Sequence, residues 1–299
     1  MRERGSSRQS LQKDVTMRTM LKWVATASLA GMLVSCSCGD KGTGGGSDSG
    51  DTSGDGNNGG TGTAQAGVLK GKVVDTKGQP IAGAVIYAAI TGTNGVPSKT
   101  TTDAQGTYKI SDMASTVTYK ALAWLPVTYR SKNFCLRISP EDATGNAVFL
   151  PKDGAIRNFH WRLQGRMDDS TAAAEEDGAW YGGTIKLFPE FDDGDYKSTV
   201  ELHLTPTEPL IDGSTGEALT RTVDLGKTQY ALDIPVGVYK ISATRVKTDG
   251  TRVTARVGPS NTTTASETVF EFKPTDMPAC GSATVGSGVT RGFLSVLSP

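Results

Sequence analysis

Residues 71–92, GKVVDTKGQPIAGAVIYAAITG, and residues 100–110, TTTDAQGTYKI, decide the fold. Each stretch places short runs of apolar and β-branched residues next to a turn rich in Asp, Gly and Gln. Strands separated by such turns about every 8–12 residues, with no helical periodicity, predict an antiparallel β-sandwich. Gly78 and Gly106 stand at turn positions that favour a positive φ, which glycine adopts without steric cost. This part of the chain is therefore predicted to be all-β.

The order of strand and turn residues in these stretches resembles the carboxypeptidase regulatory-like domain, a transthyretin-like β-sandwich. The positions that carry the resemblance are Val73, Asp75, Gly78, Pro80, Gly83, Ala84, Val85, Thr102, Asp103, Gly106 and Tyr108. The resemblance covers residues 68–150 and implies the fold of a first sandwich over 67–152. It implies no activity, because one fold hosts many unrelated functions.

The region that follows is also rich in β-signals. Two of its runs alternate strictly between apolar and polar residues, and this period of two is typical of half-buried strands. The apolar members of these runs are Phe159, Trp161, Leu163, Val200, Leu202 and Leu204. The chain is therefore predicted to form two consecutive antiparallel β-sandwiches. We expect the second sandwich over 153–277, followed by a tail or an edge strand over 278–299.

The N-terminal region has the order of a secretory signal. Residues 17–36 read MRTMLKWVATASLAGMLVSC, with Arg18 and Lys22 before an apolar run over 23–34. A signal needs a basic end, an apolar run of about 7–15 residues and small residues at the cleavage point. The run is too short to span a membrane, which takes about 20 apolar residues. We therefore expect residues 1–35 to be a signal peptide.

The end of this run, Leu-Val-Ser-Cys at 33–36, resembles the bacterial lipobox. The resemblance implies that Cys36 is diacylated on sulfur with fatty acids such as palmitate and becomes the new N-terminus. The alternatives are an ordinary signal peptide with a chance cysteine, or a cytosolic tail. Because residues before it are polar, Met17 or Met20 is a candidate for the true start.

Residues 36–66 are expected to tether the folded part to the lipid. Residues 39–66 contain eleven glycines and no Leu, Ile, Val or aromatic residue. Such a segment cannot bury enough apolar surface to fold. A Gly-rich chain of this length has an end-to-end distance of about 30 Å.

The four cysteines are Cys36, Cys38, Cys135 and Cys280. Lipidation of Cys36 leaves an odd number, and export makes a disulfide permissible. The pair that we expect to bond is Cys135 with Cys280. The alternative is that Cys135, between Phe134 and Leu136, is a small buried apolar residue.

Catalytic signals are weak, so we expect no enzyme, metal or cofactor. Zinc carboxypeptidases need an H-x-x-E motif, and neither His160 nor His203 is followed by glutamate at the third position. Both histidines fall on the polar phase of an alternating run, which favours solvated side chains. No G-x-S-x-G nucleophile motif is present. The carboxylates Asp192, Asp193 and Asp195 stand among turn formers and are interpreted as a solvated loop.

Aromatic residues supply the candidate ligand platform. In the run 119–125, Trp124 shares a phase with Lys120, so it is exposed if that face meets solvent. Trp124, Tyr129 and Arg130 would then form a platform, because exposed rings anchor partners. The alternative is that Trp124 seals the joint between the two sandwiches.

A chain that begins at Cys36 carries 25 Lys or Arg and 29 Asp or Glu, a net charge of −4. This charge does not favour nucleic acid, which clustered basic residues bind. The predicted function is a non-catalytic, membrane-anchored lipoprotein that binds or scaffolds an envelope protein or glycan. The alternative is a carbohydrate-binding module. We expect it to face the periplasm or cell surface, with the outer membrane favoured in a diderm source because Ser37 is not aspartate.

Overall fold

The computed structural model describes residues 62–299 apart from 93–94, 112, 276–279 and 281–285. The predicted signal peptide, Cys36 and most of the tether lie outside the described residues. The described chain is almost entirely β-structure, with two short 3₁₀ helices at Ala143–Asn146 and Pro151–Asp153. Within the described residues, no helix has the length and apolar character that crossing a membrane requires.

Eight strands form the first sandwich. They are β1 (Leu69–Val74), β2 (Val85–Ile90), β3 (Ser98–Thr101), β4 (Thr107–Ile110), β5 (Tyr119–Tyr129), β6 (Lys132–Pro140), β7 (Ala155–Ile156) and β8 (Phe159–His160). Their order is β3-β2-β5-β6-β8-β1-β4, with β7 also paired to β1. All pairs are antiparallel except those of β1 with β7 and β8. Because β8 pairs with both β6 and β1, it joins the two layers of the sandwich.

The first strand shows why these residues fold this way. Leu69, Gly71 and Val73 are its inward-facing positions. Position 71 requires glycine, because a Cβ there would collide with the backbone carbonyl of Arg157. The predicted positive φ at the two turn glycines is confirmed, at 79° for residue 78 and 71° for residue 106.

Eight further strands form the second sandwich. They are β9 (Gly183–Glu190), β10 (Thr199–Pro206), β11 (Leu219–Asp224), β12 (Tyr230–Ile234), β13 (Val238–Val246), β14 (Arg252–Gly258), β15 (Glu267–Glu271) and β18 (Gly292–Leu297). Their order is β11-β10-β13-β14-β18-β9-β12, and β15 pairs with β13 beside β14. Between β15 and β18, the short strands β16 (Lys273–Pro274) and β17 (Val289–Thr290) pair with each other.

The segment boundaries differ from those expected from the sequence. Strands β7 and β8 lie beyond residue 152 but belong to the first sandwich, because they pair in parallel with the free side of β1. Strand β18 is neither a tail nor an edge strand, since it lies between β14 and β9. Its three consecutive buried residues, Leu294, Ser295 and Val296, break the alternation that would have indicated a strand.

One hydrophobic core runs through both sandwiches, and its buried members come from strands of each. The predicted fold class, two consecutive β-sandwiches, is confirmed. The two sandwiches therefore share a continuous apolar interior.

Candidate binding surface

The platform predicted around Trp124 is not on the surface, so this expectation is wrong. Trp124 is fully buried and packs with Tyr87, Cys135 and Cys280 on the outer side of the first sandwich. The hydroxyl of Tyr87 donates to the carbonyl oxygen of Cys280. The guanidinium carbon of Arg137 lies 5.2 Å from the centroid of the Trp124 ring. The phase of the residue was outward as expected, but a distant part of the chain covers it.

The chain between β15 and β18 supplies that cover, and we call its described residues 273–275, Cys280 and 286–290 the clasp. Cys280 forms a disulfide with Cys135 of β6, with 5.3 Å between the two Cα atoms. The backbone N–H of Arg137 donates to the carbonyl oxygen of Ser287 at 3.0 Å. The clasp thus links a strand of the first sandwich to two strands of the second.

The other two platform residues lie at the junction of the sandwiches. Tyr129 donates its hydroxyl hydrogen to the carbonyl oxygen of Pro209 at 2.8 Å. Arg130 lies 3.3 Å from a carboxylate oxygen of Glu208 and 3.4 Å from one of Glu271. The structure therefore separates Tyr129 and Arg130 from Trp124 and uses them to join the two sandwiches.

Two further polar contacts cross the same junction. Lys132 Nζ lies 2.5 Å from Glu271 Oε1, so that glutamate pairs with two basic side chains of the first sandwich. The hydroxyl of Thr76 donates to Asp212 Oδ2 at 2.9 Å. Burial raises the pKa of Asp212, but hydrogen bonds from Ser214 and Thr76 outweigh it and lower that pKa below its ordinary value. The junction therefore stabilises the ionised carboxylate.

The exposed aromatic surface of the protein lies on the second sandwich instead. Phe188 of β9 and Phe293 of β18 are 42% and 51% exposed, and their ring centroids lie 5.8 Å apart. Lys186 Nζ lies 5.3 Å from the centroid of Phe188 and 5.9 Å from that of Tyr230. We call Tyr230, Lys186, Phe188 and Phe293 the aromatic strip. An exposed apolar patch of this kind marks an interaction site more often than a lone exposed side chain does.

The register of the sheet explains the strip. Tyr230 of β12 is opposite Lys186 of β9, which in turn is opposite Phe293 of β18. Ile185 and Leu187 point into the core, so Lys186 and Phe188 must point outward. Sequence reasoning missed Phe188 and Phe293, although Phe188 is an apolar residue on the polar phase of its strand, which is a readable signal.

A groove of about 460 Å³ lies between β15 and β18. It adjoins the aromatic strip at Phe293. Val269, which is 68% exposed, lies on the β15 side, and Phe293 lies on the β18 side. The ring of Phe270 packs so closely on Gly292 that a Cβ at position 292 would collide with it. The groove is therefore an apolar slot with an aromatic side chain in its floor.

Basic side chains stand at the clasp end of the groove. Lys273 is exposed, and Arg291 Nε donates to Asp177 Oδ2 at 2.5 Å. The hydrogen bond with Asp177 raises the pKa of Arg291. The guanidinium carbon of Arg291 also lies 5.2 Å from the centroid of Tyr230. The groove and the strip therefore combine apolar rings with positive charge.

The histidines form no catalytic arrangement in the part of the chain that the structure describes. His203 Nδ1 lies 3.2 Å from Thr220 Oγ1, and its Nε2 lies 3.3 Å from Thr244 Oγ1, on the outer side of β10. His160 is half-buried in β8. Among the described residues, no three His, Cys, Asp or Glu side chains are grouped to hold a metal ion.

The acidic loop 192–195 is exposed at Asp192 and Asp193, as expected, but Asp193 and Asp195 also bind a buried arginine. Asp193 Oδ1 accepts from Arg245 Nη2 at 2.7 Å, and Lys247 Nζ lies 2.9 Å from the other oxygen. Hydrogen bonds from Arg245 and then Lys247 hold the pKa of Asp193 far below its usual range. The guanidinium carbon of the buried Arg245 lies 3.7 Å from the centroid of Phe191. The carboxylates of Asp193 and Asp195 therefore stabilise a buried arginine.

The comparison with protein families finds one domain. Residues 68–134 match the carboxypeptidase regulatory-like domain, so this domain is present in the first sandwich. Among curated proteins, none matches the sequence significantly.

Several solved structures are similar to the chain, and three of them serve as examples. The Bacillus anthracis TIE protein is 11% identical with a TM-score of 0.30, and the similarity covers 79% of this chain and 34% of that one. The present chain thus spans about a third of its length. A single B repeat unit of the collagen binding surface protein of Staphylococcus aureus is 10% identical with a TM-score of 0.23, covering 79% and 100% of the two chains. The major pilin T-13 from Streptococcus pyogenes is 9% identical with a TM-score of 0.19, covering 78% and 99%.

Proposed function

We propose that the protein is a non-catalytic binding or scaffolding module that a lipid on Cys36 holds at the outer side of a cell membrane. The observation that carries the proposal is the aromatic strip beside an apolar groove on the second sandwich. Aromatic side chains and arginine are enriched where proteins bind partners, and a few such residues carry most of the binding energy there.

The contacts that join the two sandwiches support a binding role. The clasp disulfide, the hydrogen bond from Tyr129 to Pro209 and the ion pairs of Arg130 all cross from one sandwich to the other. A surface that is already ordered loses less conformational entropy when a partner binds. The strip is thus presented by a preorganised body.

The disulfide also supports export. Disulfides persist in oxidising compartments and are rare in the reducing cytosol. The bond between Cys135 and Cys280 therefore agrees with a signal peptide over 1–35 and with a position in the periplasm or on the cell surface. In a diderm source we place the protein at the outer membrane.

The lipid and the tether define the geometry of the proposal. Two or three acyl chains anchor a protein firmly, at about 0.8 kcal/mol per buried methylene. The Gly-rich tether over 36–66 then lets the folded body stand about 30 Å from the membrane. The partner would be an envelope protein or a glycan within that reach.

A carbohydrate-binding role is the second candidate, and the same strip favours it. The buried Trp124 no longer supports this role, but Tyr230, Phe188 and Phe293 provide aromatic side chains near two cations. A glycan array probed with the wild-type chain and with Phe188→Ser tests it directly. Retention of a specific glycan by the wild type alone would support the role, and the absence of any specific retention would exclude it.

Metabolic labelling with an alkyne fatty acid tests the anchor. We expect the wild type and the matched control Cys38→Ser to label and to sediment with membranes, whereas Cys36→Ser stays unlabelled. Cys36 and Cys38 are two residues apart in the sequence. The control therefore makes the same Cys→Ser change at a neighbouring position. Labelling of Cys36→Ser at the wild-type level would overturn the lipid anchor.

A further inference from the structure

We propose that the groove between β15 and β18 accepts an extended acidic peptide segment, which adds a strand between them. This inference rests on the proposed binding function and names the chemistry of the partner.

The backbone supplies the first argument. Strand β15 pairs with β13 on one side only, and β18 pairs with β9 on one side. On its other side, β18 pairs with β14 only from Ser295 onward. Within the described residues, the edges 268–271 and 292–294 therefore face the groove without a strand partner. Unpaired edges are templates for another strand, and peptides bind many proteins in this way.

The ends of the groove set the length of the segment. At one end β16 pairs with β17, and at the other end Gly258 pairs with Ser295. The open edge on β15 is about four residues long, or about 13 Å at the rise of a strand. The open edge therefore matches an extended segment of about four residues.

The side chains supply the second argument. Val269 of β15 and Phe293 of β18 are strongly exposed, and both line the groove together with Phe270. Successive side chains of an added strand would alternate between this apolar slot and solvent. An apolar residue of the peptide would thus cover both exposed side chains.

The charges supply the third argument, which selects an acidic peptide. Lys273 and Arg291 line the clasp end of the groove, and Arg291 binds Asp177 through Nε. The one carboxylate that lines the groove, on Glu271, is already paired with Arg130 and Lys132. Arg291 is itself paired with Asp177, so among the described residues that line the groove Lys273 carries the unpaired charge, and this charge is positive. A carboxylate on the peptide would gain a charge-assisted hydrogen bond from this lysine.

Panning of a phage-displayed library of random heptapeptides on the full chain tests the proposal. We expect enriched peptides to alternate apolar and polar residues and to contain at least one carboxylate. Fluorescence polarisation with the enriched peptides should show about tenfold weaker binding by the double variant Val269→Ser, Phe293→Ser. The matched control is Val96→Ser, Val148→Ser, because Val96 and Val148 are exposed apolar side chains of the first sandwich.

A backbone-modified peptide keeps the test independent of how the variants fold. N-methylation of one central peptide nitrogen removes a donor without changing the side chains, so we expect it to weaken binding to the wild type about tenfold. No enrichment of heptapeptides, or binding that tolerates N-methylation at every position, would overturn the proposal. Retention of polygalacturonate in place of peptides would also overturn it, in favour of a glycan. An absence of fatty-acid labelling on the wild-type chain would overturn the proposed lipid anchor. It would leave the proposal of a peptide-binding groove unaffected.

Discussion

Cys135 and Cys280 lie 145 residues apart in the sequence, and the disulfide between them attaches the clasp to the first sandwich. The clasp begins and ends beside strands of the second sandwich, so the bond connects the two halves of the folded chain. It also closes the cover over Trp124. The disulfide therefore helps to remove Trp124, which was predicted to bind a ligand, from the surface. It also holds the second sandwich, which carries the aromatic strip, against the first.

Loss of the disulfide should destabilise the protein and uncover Trp124. We expect the double variant Cys135→Ala, Cys280→Ala to lose about 2–4 kcal/mol of unfolding free energy, which urea titration measures. Acrylamide should quench tryptophan fluorescence more strongly in this variant than in the wild type. The control Cys38→Ser should match the wild type in both. Unchanged quenching in the double variant would show that the clasp stays closed without its covalent bond.

Asp169 should make stability depend on pH. Its carboxylate lies 2.8 Å from Lys120 Nζ and 3.0 Å from the buried Arg137 Nη2. Burial raises the pKa of Asp169, but the charge of Arg137 and the hydrogen bond from Lys120 outweigh it and lower this pKa below 3.8. Because the folded-state pKa is depressed, the stabilisation is complete well above pH 3.8 and is lost as the pH falls through the folded-state value.

We therefore expect Asp169→Asn to lose about 1–3 kcal/mol at pH 7, because it leaves Arg137 without its charge partner. The difference from the wild type should shrink as the pH falls below about 4. Asp168→Asn is the matched control, since Asp168 is the exposed neighbour. Urea titrations over a pH series measure both variants. An Asp169→Asn deficit that stayed constant down to about pH 2 would contradict the assignment.

Two glycines should differ in their tolerance of a methyl group. Gly71→Ala drives its Cβ into the carbonyl of Arg157, and we expect a loss of about 3 kcal/mol. In Gly78→Ala the added Cβ has no atom within 4 Å. We therefore expect a loss of only about 1 kcal/mol of unfolding free energy, which comes from the positive φ. Thermal and urea unfolding of the two variants compare these values. Equal losses would mean that β1 and the segment at Arg157 are not in close contact.

The hydroxyl of Tyr129 should contribute measurably to the stability of the junction. Tyr129→Phe removes the donor to Pro209 and keeps the ring against Phe134, so we expect a loss of about 0.5–1.5 kcal/mol. Thr128→Ala is an exposed neighbour on the same strand and should change stability less. Urea titration distinguishes the two. A larger effect of Thr128→Ala would contradict the role given to Tyr129.

Local signals predicted the fold well. Gly78 and Gly106 mark turns by chemistry that acts within a few residues, and the alternation in β10 depends on side-chain period alone. The outward phase of Trp124 was also readable. Its burial was not, because the cover comes from a segment more than 150 positions away in the sequence.

The candidate surface was partly readable. Phe188 stands on the polar phase of β9, and an apolar residue at such a position indicates an exposed ring. Its neighbour Phe293 lies in β18, which was expected to be a tail or an edge strand. Only the parallel pairing of β9 with β18 brings the two rings together, and such long-range pairing leaves no local pattern.

Photo-cross-linking in the native envelope tests the central claim, which is that the second sandwich binds a partner through the strip and groove. The full chain carries p-benzoylphenylalanine in place of Phe293, and a second version carries it in place of Val96, an exposed residue of the first sandwich. The account predicts a discrete cross-linked product from position 293 that position 96 does not give. The same products from both positions, or none from position 293, would contradict it.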